Sequence, residues 1–187
     1  YDHKVEGEAA AKMVSSLALI KFAAGNLFTG KFVEFKDWTA LLDWGAPFTS
    51  RPYSLKGFYD YLPAIVNRDE MGKYPEMVGK PDIMQIMVAL VAEGEGEEAG
   101  PFVVNSNKPG EPNLKTNPRV IAYGDLLSDQ STGGEYQEFE IPLEYRQGDT
   151  RTPAYVIVVA CASYRGDYFT GAVGSTLYVD GFSFTYR

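Results

Sequence analysis

The run Ala154-Tyr-Val-Ile-Val-Val-Ala-Cys-Ala-Ser163 constrains this chain more than any other stretch. It is almost unbroken in β-branched and small apolar residues, the pattern of a strand buried on both faces. A glycine-rich connection follows, and then Leu177-Tyr-Val-Asp-Gly-Phe-Ser-Phe-Thr-Tyr186. Leu177 and Val179 share one face of that second strand. Strict alternation would send Phe182, Phe184 and Tyr186 to the other. One extra residue at Asp180-Gly181, a β-bulge, returns all five to the core side. Two apolar strands joined by a polar loop predict the centre of a sandwich.

The rest of the chain supports an all-β reading. Asn26 to Phe35 reads as strand, turn, strand, and Ser54 to Tyr61 as a strand with no cleanly polar face, under a loop or lining a ligand surface. Asp82 to Glu93 is a long apolar run whose Val and Ile content favours a central strand. Val120 to Tyr123 is a short apolar strand. In Gln137 to Tyr145, Phe139, Ile141 and Leu143 alternate with Glu138, Glu140 and Glu144, so one face is core and the other solvent. Pro63 to Pro81 and Asn105 to Pro118 read as loops, and Glu93 to Gly100 as an acidic, glycine-rich hairpin tip. Two stretches point elsewhere. Asp37 to Gly45 is compatible with a helical turn, and the alanine-rich segment from Glu6 to Ala24 has helical propensity.

With 187 residues, one domain can bury roughly 70% of its unfolded surface without a disulfide or metal staple. The formal charge of −8 and the lack of a basic stripe argue against nucleic acid as a partner. No apolar stretch approaches the roughly 20 residues that span a bilayer. The single cysteine, Cys161, reads as a small core residue. The single histidine, His3, is expected at a frayed terminus, which leaves almost no material for a Ser-His-Asp triad or a His-ligated zinc.

The C-terminal residues Gly166-Asp-Tyr-Phe169, Gly171-Ala-Val-Gly-Ser175 and Leu177-Tyr-Val-Asp180 resemble the C-terminal signature of the PCMD family, the putative carbohydrate-metabolism domain of Bacteroidetes surface proteins. Similar pieces occur in order along the chain: Ala24 to Gly30, Gly45-Ala-Pro-Phe48 with Arg51-Pro52, Gly57 to Tyr61, Val120 to Gly124 and Ile141 to Tyr145. The chain departs from the family at Gly181, where members often carry a second acidic residue. The resemblance implies an antiparallel β-sandwich of the jelly-roll type, similar to galactose-binding and carbohydrate-binding modules. It also implies strands, not helix, in the N-terminal segment. A single domain over residues 1–187 is expected, with upstream domains in the same polypeptide, placed at the cell surface or in the periplasm.

Candidate ligand residues fall in two stretches. Trp38, Trp44, Arg51, Tyr53, Tyr59 and Tyr61 combine aromatic faces that suit sugar C–H surfaces with polar groups that suit hydroxyls. Tyr164 and Asp167 form the second group. Glu138 and Glu140 share a face at about 7 Å, a spacing compatible with glycoside hydrolysis, but on the polar side of their strand. Many jelly-roll sugar-binding modules hold a structural calcium near the last strand; here Asp180 with Glu6 or Glu8 would supply the oxygens. These readings converge on glycan binding, with a glycoside hydrolase or a structural surface module as the rivals.

Overall fold

The computed structural model describes residues 2–36 and 39–187. Two antiparallel sheets face each other. The first has the order Ala11–Val14, Thr176–Thr185, Ser54–Leu62, Gln137–Pro142. The second runs Glu144–Tyr145, Val120–Ser128, Met84–Val91, Tyr155–Cys161, Asn26–Phe28, with Ala46–Pro47 also paired to Tyr155–Cys161. Setting aside the two-residue pieces leaves four strands in each sheet. In chain order these read first, eighth, third, sixth in one sheet and second, seventh, fourth, fifth in the other. That interleaving is the jelly-roll, so the chain is an all-β sandwich of that type.

Met13, Leu55, Tyr61, Phe139, Ile141, Leu177 and Val179 project from the first sheet. They meet Ile86, Val88, Leu90, Ile121, Val156 and Ala160 of the second. The outer face of the second sheet is also buried over part of its area. Met87, Ala89, Val91, Ile157 and Val159 pack with Phe102 and Leu114. Their cover includes a three-stranded flap of Gly30–Lys36, Thr39–Trp44 and Phe102–Asn105. Burial on both faces explains why Met84–Val91 and Tyr155–Cys161 are apolar at nearly every position. Cys161 lies in this layer, and burial pushes its thiol up to about 12.

The expected bulge is present. Asp180 lies opposite Phe58 and Ser183 opposite Lys56, so Gly181 and Phe182 together oppose Gly57. Gly181 has φ +60°, open to glycine and costly for other residues. Leu177 and Val179 are buried, and Phe182 and Phe184 pack on the core. Tyr186 lies beyond the strand end and is 58% exposed, so four of the five expected side chains turn inward. The Asp180 carboxylate accepts amides from Val5 (2.7 Å), Glu6 (3.0 Å) and Gly181 (2.8 Å), tying the N-terminal segment to the bulge.

Other expectations need correction. The N-terminal segment is extended, as the resemblance implied, but its strands begin only at Ala11. The stretch expected to make a helical turn contains Thr39–Trp44, a strand hydrogen-bonded to both flap neighbours. Two ladders satisfy its backbone more fully than one isolated turn would. Val120–Ser128 runs nine residues, well past the expected end at Tyr123. Ser54–Leu62 lies inside the first sheet, not under a loop. His3 is anchored, not frayed. Its Nε2 lies 2.8 Å from the buried Asp60 carboxylate, its ring stacks on Tyr136, and the Tyr136 hydroxyl donates to its carbonyl.

A buried carboxylate joins the pieces. Asp82 is fully buried. It accepts from the Ile83 amide (2.8 Å), Ser163 Oγ (2.6 Å), the Ala172 amide (2.8 Å) and Ser175 Oγ (2.9 Å). Ser15 Oγ extends the network to Ser163 at 2.7 Å. This gives a physical role to the Gly171-Ala-Val-Gly-Ser175 segment. It wraps the carboxylate before entering the last strand.

Asp82→Ala removes one acceptor from four buried donors. The expected cost is about 3 kcal/mol or more, read from urea unfolding midpoints at constant m; a loss below about 1 kcal/mol would refute this role. Gly181→Val places a Cβ 2.8 Å from Glu6 Oε1 in a left-handed backbone. It should cost about 1–2 kcal/mol, seen as a lower Tm.

Candidate functional site

Strand register organises a polar groove on the outer face of the second sheet. Gln85, Met87 and Ala89 lie beside Leu127, Asp125 and Tyr123 on one side and beside Cys161, Val159 and Ile157 on the other. Toward Val91 this face carries the apolar cluster of Phe102 and Leu114. Toward Gln85 it turns polar. Asp125 Oδ2 accepts from Lys115 Nζ (3.0 Å), the Tyr123 hydroxyl (3.1 Å) and Gln85 Nε2 (3.3 Å). Lys115 Nζ also sits 5.1 Å from the Tyr123 ring centroid, a cation–π contact. Burial, and then the charge of Asp125, hold the Tyr123 phenol far above its ordinary value. It therefore remains a neutral donor.

A cavity of about 340 Å³ opens beside this groove, along the edge formed by Val120–Ser128; Lys115, Tyr123, Asp125 and Glu144 share its wall with Ile141 and Pro142, and Gln85 lies outside it. Volumes of a few hundred Å³ suit a small ligand or one or two sugar rings. The loop at 106–118 is held near this face at two ends. The Gly110 amide donates to Asp167 Oδ2 at 2.8 Å, and Arg146 Nη2 donates to the Asn117 carbonyl at 2.6 Å. The groups on offer are a carboxylate acceptor, an amide, an ammonium and a phenol. That mixture matches a ligand rich in hydroxyls. A second concavity of about 310 Å³ opens between the sheets at their other edge, lined mainly by apolar groups including Leu27, Phe28, Val158, Phe182 and Phe184. It lacks the polar groups that fix a sugar.

The residues expected to form a site are scattered. Trp38 lies outside the described residues. Trp44 packs against the flap core at 6.3 Å from Phe28, and its buried Nε1 has no hydrogen-bond partner. Arg51 donates to the carbonyls of Arg151 (2.6 Å) and Asp149 (2.9 Å) and stacks on Tyr145 at 4.4 Å, so it anchors a loop. Tyr53 is covered by the Arg187 guanidinium at 3.6 Å. Tyr59 packs on the core, and Tyr61 is wholly buried with its hydroxyl on the Ala162 carbonyl, so Tyr61 offers no face to a ligand. Tyr164 and Asp167 do lie near the groove. The Tyr164 amide bonds to the Ile83 carbonyl at 2.7 Å, and Asp167 accepts from the Gly110 amide.

Glu140 accepts from Ser54 Oγ and Glu138 pairs with Lys56 at 3.7 Å, both on the solvent side of the first sheet. Asp180 is engaged by three amides, while Glu6 and Glu8 are exposed. Among the described residues, no group of three or more His, Cys, Asp or Glu is placed to hold a metal. Nor is any helix long and apolar enough to cross a membrane. Sequence reasoning missed Gln85, Lys115, Tyr123 and Asp125. The available signal was Tyr123-x-Asp125, two polar groups on one face of a strand otherwise built for burial.

The loop under Arg51 has a pH signature. A side-chain bond from Arg151, with its amide and charge, lowers the Asp149 carboxyl to about 2. A depressed folded value adds stability above the ordinary carboxylate range, and that stability is lost as pH falls from about 4 to about 2. The Asp149 side chain is 10% exposed and that of Arg151 47% exposed, and screening of this half-exposed pair should keep the effect to about 1 kcal/mol. In acid titrations of stability, Asp149→Asn should remove that component and leave the rest of the profile in place.

Comparison with known proteins agrees with this architecture. A crystal structure described as a putative glycoside hydrolase from Bacteroides thetaiotaomicron VPI-5482 superposes with a TM-score of 0.71 at 24% identity, over 95% of this chain and 53% of that one. Another, described as a putative glycoside hydrolase from Bacteroides vulgatus ATCC 8482, gives 0.74 at 22% identity, over 95% of this chain and 73% of that one. At these identities the likeness shows the fold, and this chain spans about half the length of the first. No curated protein sequence matches. The model of the family described as "Putative carbohydrate metabolism domain" (PCMD) matches residues 3–185, and the chain belongs to that family.

Proposed function

We propose that this domain is a non-catalytic glycan-binding module that seats its ligand in the groove of Gln85, Lys115, Tyr123 and Asp125. The observation that carries the reading is the convergence of three different donors on Asp125, which stands with two of them, Lys115 and Tyr123, in the wall of a sugar-sized cavity. Each donor has further capacity for a hydroxyl, and the Tyr123 ring gives a C–H surface something to pack on. In this reading the domain serves a cell-surface or periplasmic protein for glycan utilisation, joined to upstream domains. The greater length of the similar Bacteroides chains, of which this one covers 53% and 73%, fits further domains; the surface or periplasmic setting is part of the proposal.

A second reading has its own observation. Glu144 lies directly opposite Tyr123 across the strand pair. It therefore stands diagonal to Asp125 on the same face, about 7–8 Å away by strand geometry. Inverting glycosidases hold their carboxyl pair roughly 6.5–9.5 Å apart. In a hydrolase, Asp125 and Glu144 would be that pair.

One experiment separates these readings. Glycan-array binding is followed by calorimetry and product analysis, with and without a chelator. A binding module should retain intact ligand, and Asp125→Asn should weaken binding about tenfold or more at unchanged Tm. Released product that disappears in Glu144→Gln would establish the hydrolase. Silence across plant, host and microbial glycans would leave a structural module. A chelator effect would support the calcium expected at Asp180.

A further inference from the structure

Arg165 follows the Tyr155–Cys161 strand and sits in an aromatic clamp. Its guanidinium carbon is 4.1 Å from the Tyr164 ring centroid and 4.5 Å from that of Tyr74. Tyr168 braces Tyr74 edge-on at 5.2 Å. Arg51, Arg119, Arg146 and Arg151 donate hydrogen bonds to this chain's own oxygens, while Arg68 and Arg187, like Arg165, do not among the described residues. Among the described residues, Arg165 makes no side-chain hydrogen bond and no ion pair within 4.0 Å. Its near neighbour Asp167 takes the Gly110 amide, and the Arg165 charge is close enough to offset part of the rise that burial gives the Asp167 carboxyl. The stacking fixes the plane of a charged fork whose donors remain open.

The clamp lies beyond the Gln85 end of the groove, outside the cavity that Asp125 borders. The Tyr164 amide bonds to the Ile83 carbonyl, just ahead of Met84–Val91. Asp167 holds the loop that returns to the groove with Lys115. A planar guanidinium matches the two oxygens of a carboxylate or the face of a sulfate better than it matches single hydroxyls. Because the rings already restrict the side chain, little rotamer freedom is lost on binding. The chain's net charge of −8 repels a polyanion at long range. One isolated anionic group escapes most of that penalty.

We propose that Arg165 sets the specificity of the groove by receiving the single anionic group, carboxylate or sulfate, of an acidic sugar residue. This rests on the glycan-binding reading above. It assigns Arg165 the recognition of charge, while Asp125 and its donors hold the hydroxyls.

The test compares ligands that differ only in charge. Calorimetry is run with a short galacturonate oligosaccharide and its methyl ester, and with a sulfated disaccharide and its desulfated form. One anionic member should bind at least about tenfold tighter than its neutral counterpart, with affinity falling as salt rises. Whichever pair shows the preference names the anion. Arg165→Ala and Arg165→Gln should bring that ratio to about one and leave neutral-ligand affinity in place. Arg165→Lys should recover part of the preference. If Arg165→Ala lowers Tm sharply, the Gln and Lys variants carry the comparison. Equal binding of both members of each pair, or a preference that survives in Arg165→Gln, would overturn the inference and leave glycan binding intact. Absence of binding to every charged and neutral ligand would overturn the glycan-binding reading and this one with it.

Discussion

The Asp82 carboxylate is the constraint on which the sandwich depends. Burial pushes this carboxyl up, its four hydrogen bonds pull it back down, and it is tolerable only if its oxygens are satisfied; here the donors come from distant parts of the chain. Ile83 leads into Met84–Val91. Ser163 follows Tyr155–Cys161. Ala172 and Ser175 precede Thr176–Thr185. Ser15, bonded to Ser163, follows Ala11–Val14. One carboxyl group thus fixes the relative positions of strands from both sheets at the same end of the molecule. Apolar packing alone would tolerate small slips between sheets. A carboxylate that needs every donor would not.

The groove follows from the way the second sheet is covered. The flap and Leu114 supply an apolar lid over part of its outer face, so residues there can be apolar on both sides. Where that cover ends, the same alternation places Gln85, Asp125 and Tyr123 outward. The polar site is therefore the uncovered continuation of a buried layer. Its floor is as rigid as the sheet, and its wall is a loop held at Gly110 and Asn117. Such a scaffold allows loop changes to alter the ligand without touching the core.

Several features were legible in the residues. The two-sided burial of the 154–163 run, the bulge at Asp180-Gly181 and the Phe139-Ile141-Leu143 face all follow from period-two counting. The Thr39–Trp44 strand was not legible, because its apolar spacing also fits a helix and only the two ladders decide. The aromatic density between Trp44 and Tyr61 pointed to a ligand surface, yet Tyr61 is core and Arg51 is a loop anchor. Local composition cannot tell a stacking platform from a filled interior. The Asp82 network and the convergence on Asp125 were hidden for another reason. Their partners are brought together only by sheet order, which no local pattern encodes.

Cys161 carries a consequence for watching this molecule move. It is the only cysteine in the chain, it lies in an inner strand of the second sheet, and burial holds its sulfur protonated near neutral pH. A protonated, shielded thiol is a poor nucleophile. Alkylation must therefore wait for the sheet to open around it. The native protein thus carries a chemical clock for strand separation beside the groove. Any ligand that seats there would slow that clock by the same factor by which it suppresses opening.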